Sequence, residues 1–164
     1  MNRKIIIVTF LIAVLAIVLA YIVLTSTPSS TILAVDPQTV QGTAGQNFTI
    51  NISISNVADL FGWEFKLRWN PSILDVVNVT EGPFLRSRNQ TFFYPQVNST
   101  DGHLKADCNM IGNISGVSGQ GTLMIIQFYV KGSGACDLNL YDTELLNSSE
   151  QLITHTVRDG HFSA

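Results

Sequence analysis

Strict alternation of apolar and charged side chains in one short stretch constrains this fold more than any other feature of the sequence. Residues 60–71 read LFGWEFKLRWNP, in which four apolar side chains alternate with three charged ones: Trp63, Phe65, Leu67 and Trp69 with Glu64, Lys66 and Arg68. A period of two places alternate side chains on opposite faces of a β-strand. We therefore expect a strand whose aromatic face packs in a core and whose charged face is open.

The same pattern recurs along the chain after residue 31, where helical periodicity is not sustained. In residues 47–54, Phe48 and three isoleucines alternate with Asn, Thr and Ser. Residues 121–131 are apolar on both faces over most of their length, which is typical of a central strand. The sequence predicts an all-β chain with strands over residues 31–35, 45–54, 60–69, 73–80, 91–97, 102–111, 121–131, 136–146 and 151–163.

An uninterrupted apolar run at the N-terminus, residues 5–24, follows two basic residues. A membrane-spanning helix needs about 20 apolar residues, whereas the apolar core of a cleaved signal peptide has roughly 7 to 15. We therefore predict one N-terminal transmembrane helix that acts as an uncleaved signal anchor, with a cleaved signal as the alternative. The basic flank places residues 1–4 in the cytoplasm. A Ser/Thr/Pro tether at 25–31 and one domain at 32–164 are then expected on the extracellular side of the cell membrane.

Asn-X-Ser/Thr tripeptides are dense in the part of the chain that follows the apolar run. Each tripeptide alone is a weak signal, but their density in a chain routed outside the cell favours surface glycosylation. The candidate glycosylation sites are Asn47, Asn51, Asn78, Asn89, Asn98, Asn113 and Asn147.

Charge and motif content exclude several classes of function. The formal net charge is −3 and no basic run occurs beyond the N-terminal flank, so nucleic-acid binding is disfavoured. The histidines stand alone, without HExxH or paired-cysteine spacing for zinc, and no nucleophile elbow or phosphate-binding glycine loop occurs. We expect no enzymatic activity, no metal site and no cofactor.

Four sequence strings occur in a fixed order along the chain: GQNFTINI at 45–52, WEFKLRWNPSILDV at 63–76, SGQGTLMIIQFYV at 118–130 and VRDGHF at 157–162. Together and in this order they resemble the cohesin domain family, the receptor half of the cohesin–dockerin pair that assembles cellulosomes. The residues in these strings are most similar to those of archaeal members. The resemblance implies a nine-stranded jelly-roll β-sandwich whose third, fifth, sixth and eighth strands dock a dockerin. The implied partner is a dockerin-bearing exported protein, and calcium would belong to that partner.

Alternation within those four strands predicts which side chains reach the docking face. The resemblance implies two of them by position, because Glu64 falls at an acidic contact of the family and Tyr94 at an aromatic beside a proline. The simpler interpretation is that the charges are the solvated side of a half-buried strand. The predicted partner-binding residues are Glu64, Lys66, Arg68, Tyr94, His103, Lys105, Asp107, Asn109, Asp137, Asn139 and Tyr141.

Cys108 and Cys136 fall on the sixth and eighth strands of the implied fold. An exported chain with two cysteines favours a disulfide. However, next-but-one strands are about 9 to 10 Å apart, beyond the usual span between the Cα atoms of a disulfide. A bridge closed by a bend in the eighth strand and two buried thiols both stay open as interpretations.

Two other functions fit the same features. A group of carbohydrate-binding modules shares the fold, so the chain is alternatively a surface module that binds a polysaccharide. Because alternation buries both tryptophans, Tyr94, Tyr141, Phe92 and Phe93 are the aromatic candidates for stacking on sugar rings. The third interpretation is a structural protein that packs laterally in a cell envelope.

Overall fold

The computed structural model describes residues 30–164 together with Val14, and the described chain consists mainly of β-strands. This confirms the all-β prediction. The elements are β1 (Thr31–Asp36), β2 (Thr39–Gln41), β3 (Asn47–Arg68), β4 (Leu74–Glu81), α1 (Pro83–Arg86), β5 (Thr91–Asn98), β6 (His103–Met110), β7 (Val117–Val130), β8 (Ala135–Asn147), β9 (His155–Arg158) and β10 (Gly160–Ser163).

The long strand β3 belongs to two sheets. Its first part pairs with β1 and β7, and its last part, residues 62–68, pairs with β6 and β8. The back sheet therefore has the order β9-β1-β3-β7-β4, and the front sheet has the order β5-β6-β3-β8-β10-β2. The prediction that residues 121–131 form a central strand is confirmed, because β7 is paired on both edges.

A bend in the middle of β3 carries the strand from one sheet to the other. Asn56 and Asp59 have φ angles of 54° and 58°, and the pairing of β3 with β7 shifts register on both sides of Val57. Asn and Asp tolerate this left-handed conformation better than other residues with a side chain. Two positive-φ residues thus redirect the strand without ending it.

The strand boundaries differ from the nine predicted strands. The predicted strands 45–54 and 60–69 are one continuous strand, and the predicted last strand is divided into β9 and β10 at Asp159. Asp159 accepts a hydrogen bond from the backbone N–H of Leu140 on the neighbouring strand, 2.8 Å away. The short strand β2, which pairs in parallel with β10, was not predicted.

The core lies between the inner faces of the two sheets. The predicted inward side chains of β3 are buried, and Trp63, Phe65, Leu67 and Trp69 are at most 3% exposed. The rings of Phe48 on β3 and Phe162 on β10 stack with centroids 4.8 Å apart, which joins the two layers. Inward packing on β3 therefore leaves the charged residues of the same strand facing outward.

No helix among the residues that the structure describes is long and apolar enough to cross a membrane. The transmembrane helix predicted over residues 5–24 lies, apart from Val14, outside the described residues.

Candidate functional site

The outer surface of β5, β6, β3 and β8 forms a continuous four-strand surface, which we call the front face. The strands are those predicted to carry the docking residues, and they are adjacent in the order β5-β6-β3-β8. None of the predicted partner-binding side chains is buried. The structure therefore brings most of these predicted residues onto one surface.

An acidic row crosses the front face. Glu64 on β3 lies opposite Asp107 on β6 and Glu144 on β8, and Asp107 lies opposite Tyr94 on β5. Within residues 30–164, neither Asp107 nor Glu144 makes an ion pair. The row therefore carries excess negative charge, which favours a cationic group on a partner.

Basic and polar side chains occupy the next two rows along the strands. Lys66 lies opposite Lys105 on β6 and Tyr141 on β8. Arg68, one step further, lies opposite His103 and Asn139. The front face thus changes from acidic to basic along the strand direction, so a partner with the opposite polarity has one favoured orientation.

Two ion pairs hold the lysines of the front face in place. Lys105 Nζ lies 3.0 Å from Glu64 Oε2, and Lys66 Nζ lies 2.8 Å from Asp142 Oδ2. The hydrogen bond and the negative charge of Asp142 raise the pKa of the Lys66 ammonium. Exposed pairs of this kind contribute little to folding stability. They hold the two ammonium groups close to defined carboxylates on the front face and its edge.

Tyr141 is covered by two cations from β3. The guanidinium carbon of Arg68 lies 4.9 Å from the ring centroid of Tyr141, and Lys66 Nζ lies 5.7 Å from it. Both distances are within the range of cation–π attraction. Among the described residues Arg68 has no ion-pair partner, so its charge is oriented by the ring and available to an anionic group.

Two exposed aromatic side chains lie on β5, at the edge of the front face. Phe92 is 59% exposed and Tyr94 is 50% exposed. Their ring centroids are 6.3 Å apart and their planes differ by 20°. Large exposed aromatic groups next to polar side chains are frequent at binding surfaces. Phe92 lies opposite Asn109 on β6, so each ring has a polar neighbour across the strand pair.

Asp137 and Asn139 lie toward the β10 side of the front face. Asp137 Oδ1 lies 2.8 Å from Nδ1 of His161, and Asn139 Nδ2 donates a hydrogen bond to Asp159. These contacts tie the two side chains to the segment that includes β10. Asn139 still faces Arg68, whereas Asp137 is on the margin of the front face.

Sequence alternation missed Asp142 and Glu144 as residues of the front face. Asp142 has a φ angle of 47°, and the register of β8 against β3 shifts between Lys66 and Glu64. The irregularity turns Glu144 outward and Leu145 into the core, where Leu145 is 0% exposed. The adjacent leucines at 145 and 146 were the available sign that strict alternation ends there.

The sequon asparagines are distributed over both sheets and their loops. Asn47 and Asn51 lie on β3 within the back sheet, and Asn78 lies on β4 of the same sheet. Asn98 is the last residue of β5, opposite His103, and so lies at the edge of the front face. Asn89, Asn113 and Asn147 lie at the connections that follow α1, β6 and β8.

The structure contradicts a disulfide between Cys108 and Cys136, because both are free thiols. Cys108 faces Trp63 on β3, and Trp63 faces Leu145 on β8. Cys136 precedes Leu145 by nine positions on β8, which is roughly 30 Å at 3.3 Å per residue. This offset along the strand exceeds the span of a disulfide. Cys108 is instead a buried core residue, and Cys136 is partly buried.

Within residues 30–164, no group of three or more His, Cys, Asp and Glu side chains is placed to hold a metal ion. The carboxylates of the acidic row, Glu64, Asp107 and Glu144, are therefore not placed to share a metal ion.

Solved structures with a similar fold include several cohesins. A non-cellulosomal cohesin from the hyperthermophilic archaeon Archaeoglobus fulgidus has a TM-score of 0.70 and 19% identity, covering 82% of this chain and 91% of that chain. The cohesin of the Coh-OlpA-Doc918 complex from Clostridium thermocellum has a TM-score of 0.70 and 14% identity, covering 82% of this chain and 99% of that chain. The sixth cohesin of scaffoldin B from Acetivibrio cellulolyticus, in complex with a mutant Cel5 dockerin, has a TM-score of 0.69 and 16% identity. The match covers 82% of this chain and 99% of that chain.

No curated protein matches the sequence significantly. The model of the cohesin domain family, by contrast, matches residues 33–160, which is most of the chain. The chain belongs to the cohesin domain family.

Proposed function

We propose that this chain is a non-catalytic receptor, anchored in the membrane, whose cohesin domain binds a dockerin-bearing exported protein outside the cell. The observation that carries the proposal is the front face itself. Four adjacent strands present aligned acidic and basic rows, with Lys66 and Lys105 already held by ion pairs and Arg68 by the ring of Tyr141. Charged side chains that are already oriented lose less freedom when a partner binds.

The aromatic and the charged side chains of the front face have different roles in the proposed binding. Tyr94 supplies exposed aromatic surface of the kind that dominates binding energy at interfaces, whereas Tyr141 orients Arg68. The acidic row and Arg68 set the orientation and the choice of partner, which is the usual effect of charged interface groups. Glu64 belongs to the acidic row and also orders Lys105 through their ion pair.

Solved relatives support this choice of partner. The cohesins of the Clostridium thermocellum and Acetivibrio cellulolyticus structures are in complex with dockerins. At 14% to 16% identity these structures indicate a shared fold. Family membership and the charged front face together make a dockerin the first partner to test.

The pull-down that tests the proposal uses the full chain in detergent as bait. The preys are recombinant dockerin modules from exported proteins encoded by the same genome. We expect at least one dockerin to bind in a calcium-dependent manner, because dockerins hold calcium in their loops. Absence of binding to every such dockerin, with and without calcium, would remove dockerin recognition as the function.

Membrane anchoring is supported by residues 5–24 and the two basic residues before them. We expect the chain to stay in the membrane pellet after alkaline extraction and to be digested by protease added to intact cells. Deletion of residues 5–24 should leave the domain untethered. A full-length chain that is released by alkali or protected from external protease would contradict the anchor or its orientation.

Polysaccharide binding is the second candidate, and the exposed pair of Phe92 and Tyr94 favours it. Two nearly parallel rings beside Asn109 and Asp107 combine apolar surface with hydrogen-bonding groups, as sugar-binding surfaces require. Affinity electrophoresis of the full chain in gels containing soluble polysaccharides tests it. Retardation that disappears in the Phe92→Ala, Tyr94→Ala double variant would support sugar binding, and unretarded migration in every gel would exclude it for those polysaccharides.

A further inference from the structure

The sequon asparagines differ in what their side-chain amides contact. Three of them donate a hydrogen bond from Nδ2 to a protein acceptor: Asn89, Asn98 and Asn147. The other four make no side-chain hydrogen bond within residues 30–164: Asn47, Asn51, Asn78 and Asn113. N-glycosylation replaces one hydrogen of Nδ2, so this difference bears directly on which asparagines tolerate a glycan.

Asn147 closes the connection between β8 and β9. Its Oδ1 accepts hydrogen bonds from the backbone N–H groups of Ser149 and Gln151, each at 2.9 Å. Its Nδ2 donates to Oε1 of Gln151 at 3.4 Å. The side chain takes the place of a backbone group in the turn, which is a common role of asparagine.

Asn98 closes the β5–β6 hairpin in the same way. Its Oδ1 accepts from the backbone N–H of Asp101 at 3.1 Å, and its Nδ2 donates to Asp101 Oδ2 at 2.9 Å. Because Asn98 lies opposite His103, a glycan attached here would stand at the edge of the front face. Asn89 joins the segment after α1 to the end of β6, since its Nδ2 donates to the carbonyl of Ile111 at 3.3 Å.

Three of the four other asparagines share the outer surface of the back sheet. Asn47 and Asn51 are four residues apart on β3 and therefore point to the same side. Gln127 on β7 lies between Thr49 on β3 and Asn78 on β4, which places Asn78 on that surface as well. Asn113 is exposed in the connection between β6 and β7.

We propose that N-glycans are attached to Asn47, Asn51, Asn78 and Asn113, and that Asn89, Asn98 and Asn147 stay unmodified because hydrogen bonds to protein acceptors already engage their Nδ2 atoms. This inference rests on the proposed extracellular location. In the transfer, Nδ2 loses a proton and forms a bond to the anomeric carbon of a lipid-phosphate-linked oligosaccharide, whose phosphate leaves with the bonding electrons. The resulting coat would cover the back sheet and leave the front face open to a protein partner.

Site-specific occupancy tests the inference. The full chain is expressed in a host that N-glycosylates exported proteins, and its glycopeptides are quantified by mass spectrometry. We expect high occupancy at Asn47, Asn51, Asn78 and Asn113 and almost none at the other three sequons. High occupancy at Asn89, Asn98 or Asn147 would overturn this inference alone. A chain without any glycan would overturn it together with the proposed extracellular location.

Matched variants separate the turn role from the glycan role. Asn98→Gln removes the turn contacts, whereas Thr100→Ala destroys the same sequon and leaves Asn98 in place. We expect both variants to keep the wild-type glycan mass and only Asn98→Gln to lower the Tm, by about 3–8 °C. On the back sheet, Asn78→Gln and Thr80→Ala should each remove the mass of one glycan. A loss of glycan mass in Thr100→Ala, or an unchanged Tm in Asn98→Gln, would contradict the assignment.

Discussion

At the scale of single residues, Asp59 fastens the bend of β3 to two loops. Its Oδ1 accepts a hydrogen bond from the backbone N–H of Gly116 at 2.6 Å, and its Oδ2 accepts from the hydroxyl of Ser148 at 2.6 Å. The backbone N–H of Asp59 donates to Ser118 Oγ at 2.9 Å. The hydrogen bond from Ser148, followed by the one from Gly116, lowers the pKa of the Asp59 carboxyl from its usual 3.8.

The Asp59→Asn variant tests this fastening role. Asn keeps the shape and tolerates the positive φ, but it offers a single acceptor oxygen, so we expect the Tm to fall by a few degrees at pH 7. Because the folded-state pKa is lowered, the carboxylate stabilises the fold above about pH 3.8, and this contribution is lost as the pH falls through the lowered value. Thermal melts from pH 2 to 7 should show the difference from wild type shrinking below pH 4. A pH-independent difference would contradict the role of the charge.

The cysteines offer a second test at the residue scale. Burial raises the pKa of the thiols of Cys108 and Cys136, so little of either is present as the reactive thiolate. Titration of unreduced protein with a thiol reagent should detect two thiols in denaturant. In the folded protein, Cys108 should be protected and Cys136 should react more slowly than a free thiol. Detection of no thiol in denaturant would show that a disulfide had formed after all.

At the scale of elements, β3 depends on a left-handed residue at its bend. Asn56 has a φ angle of 54°, and its Nδ2 donates to the carbonyl of Ser30 at 3.5 Å. A β-branched side chain in this conformation costs about 1–2 kcal/mol, whereas glycine adopts it freely. We expect Asn56→Val to lose that amount of unfolding free energy in urea titrations and Asn56→Gly to stay near wild type. Equal losses in the two variants would mean that the side-chain hydrogen bond, and not the backbone, dominates.

Sequence alternation predicts which side chains of a strand face the core, up to the point where a backbone irregularity shifts the alternation by one residue. The two faces of β3 and β6 within the front sheet follow the predicted pattern, because their mutual register runs without a shift from Gly62 to Arg68. In β8 the positive φ of Asp142 breaks the pattern, so Glu144 could not be predicted on the front face. Likewise, the residues around Asn56 and Asp59 read as a turn from their composition, although the strand continues through them.

At the scale of the whole molecule, the two outer surfaces have different chemistry. The front face carries acidic and basic rows, whereas the outer surface of the back sheet carries Asn47, Asn51 and Asn78 of the sequons together with Thr49 and Gln127. The sequence strings predicted the family, which is confirmed. They could not predict the ion pair between Lys66 and Asp142 or the place of Glu144 in the acidic row, because both depend on the positive φ of Asp142 and the register shift of β8. The asymmetry of charge is the molecular basis for assigning recognition to one sheet.

Affinity measured with matched charge variants of the two surfaces tests the central claim most directly. Isothermal titration calorimetry would measure the Kd of one dockerin captured by the pull-down for three proteins. These are the wild-type chain, the front-face variant Glu64→Arg and the back-sheet variant Gln127→Arg. Reversal of an interface charge costs roughly 2 kcal/mol or more, which is about 30-fold in Kd. We expect that loss in Glu64→Arg and an unchanged Kd in Gln127→Arg. Wild-type affinity in Glu64→Arg, or an equal loss in Gln127→Arg, would contradict recognition through the front face.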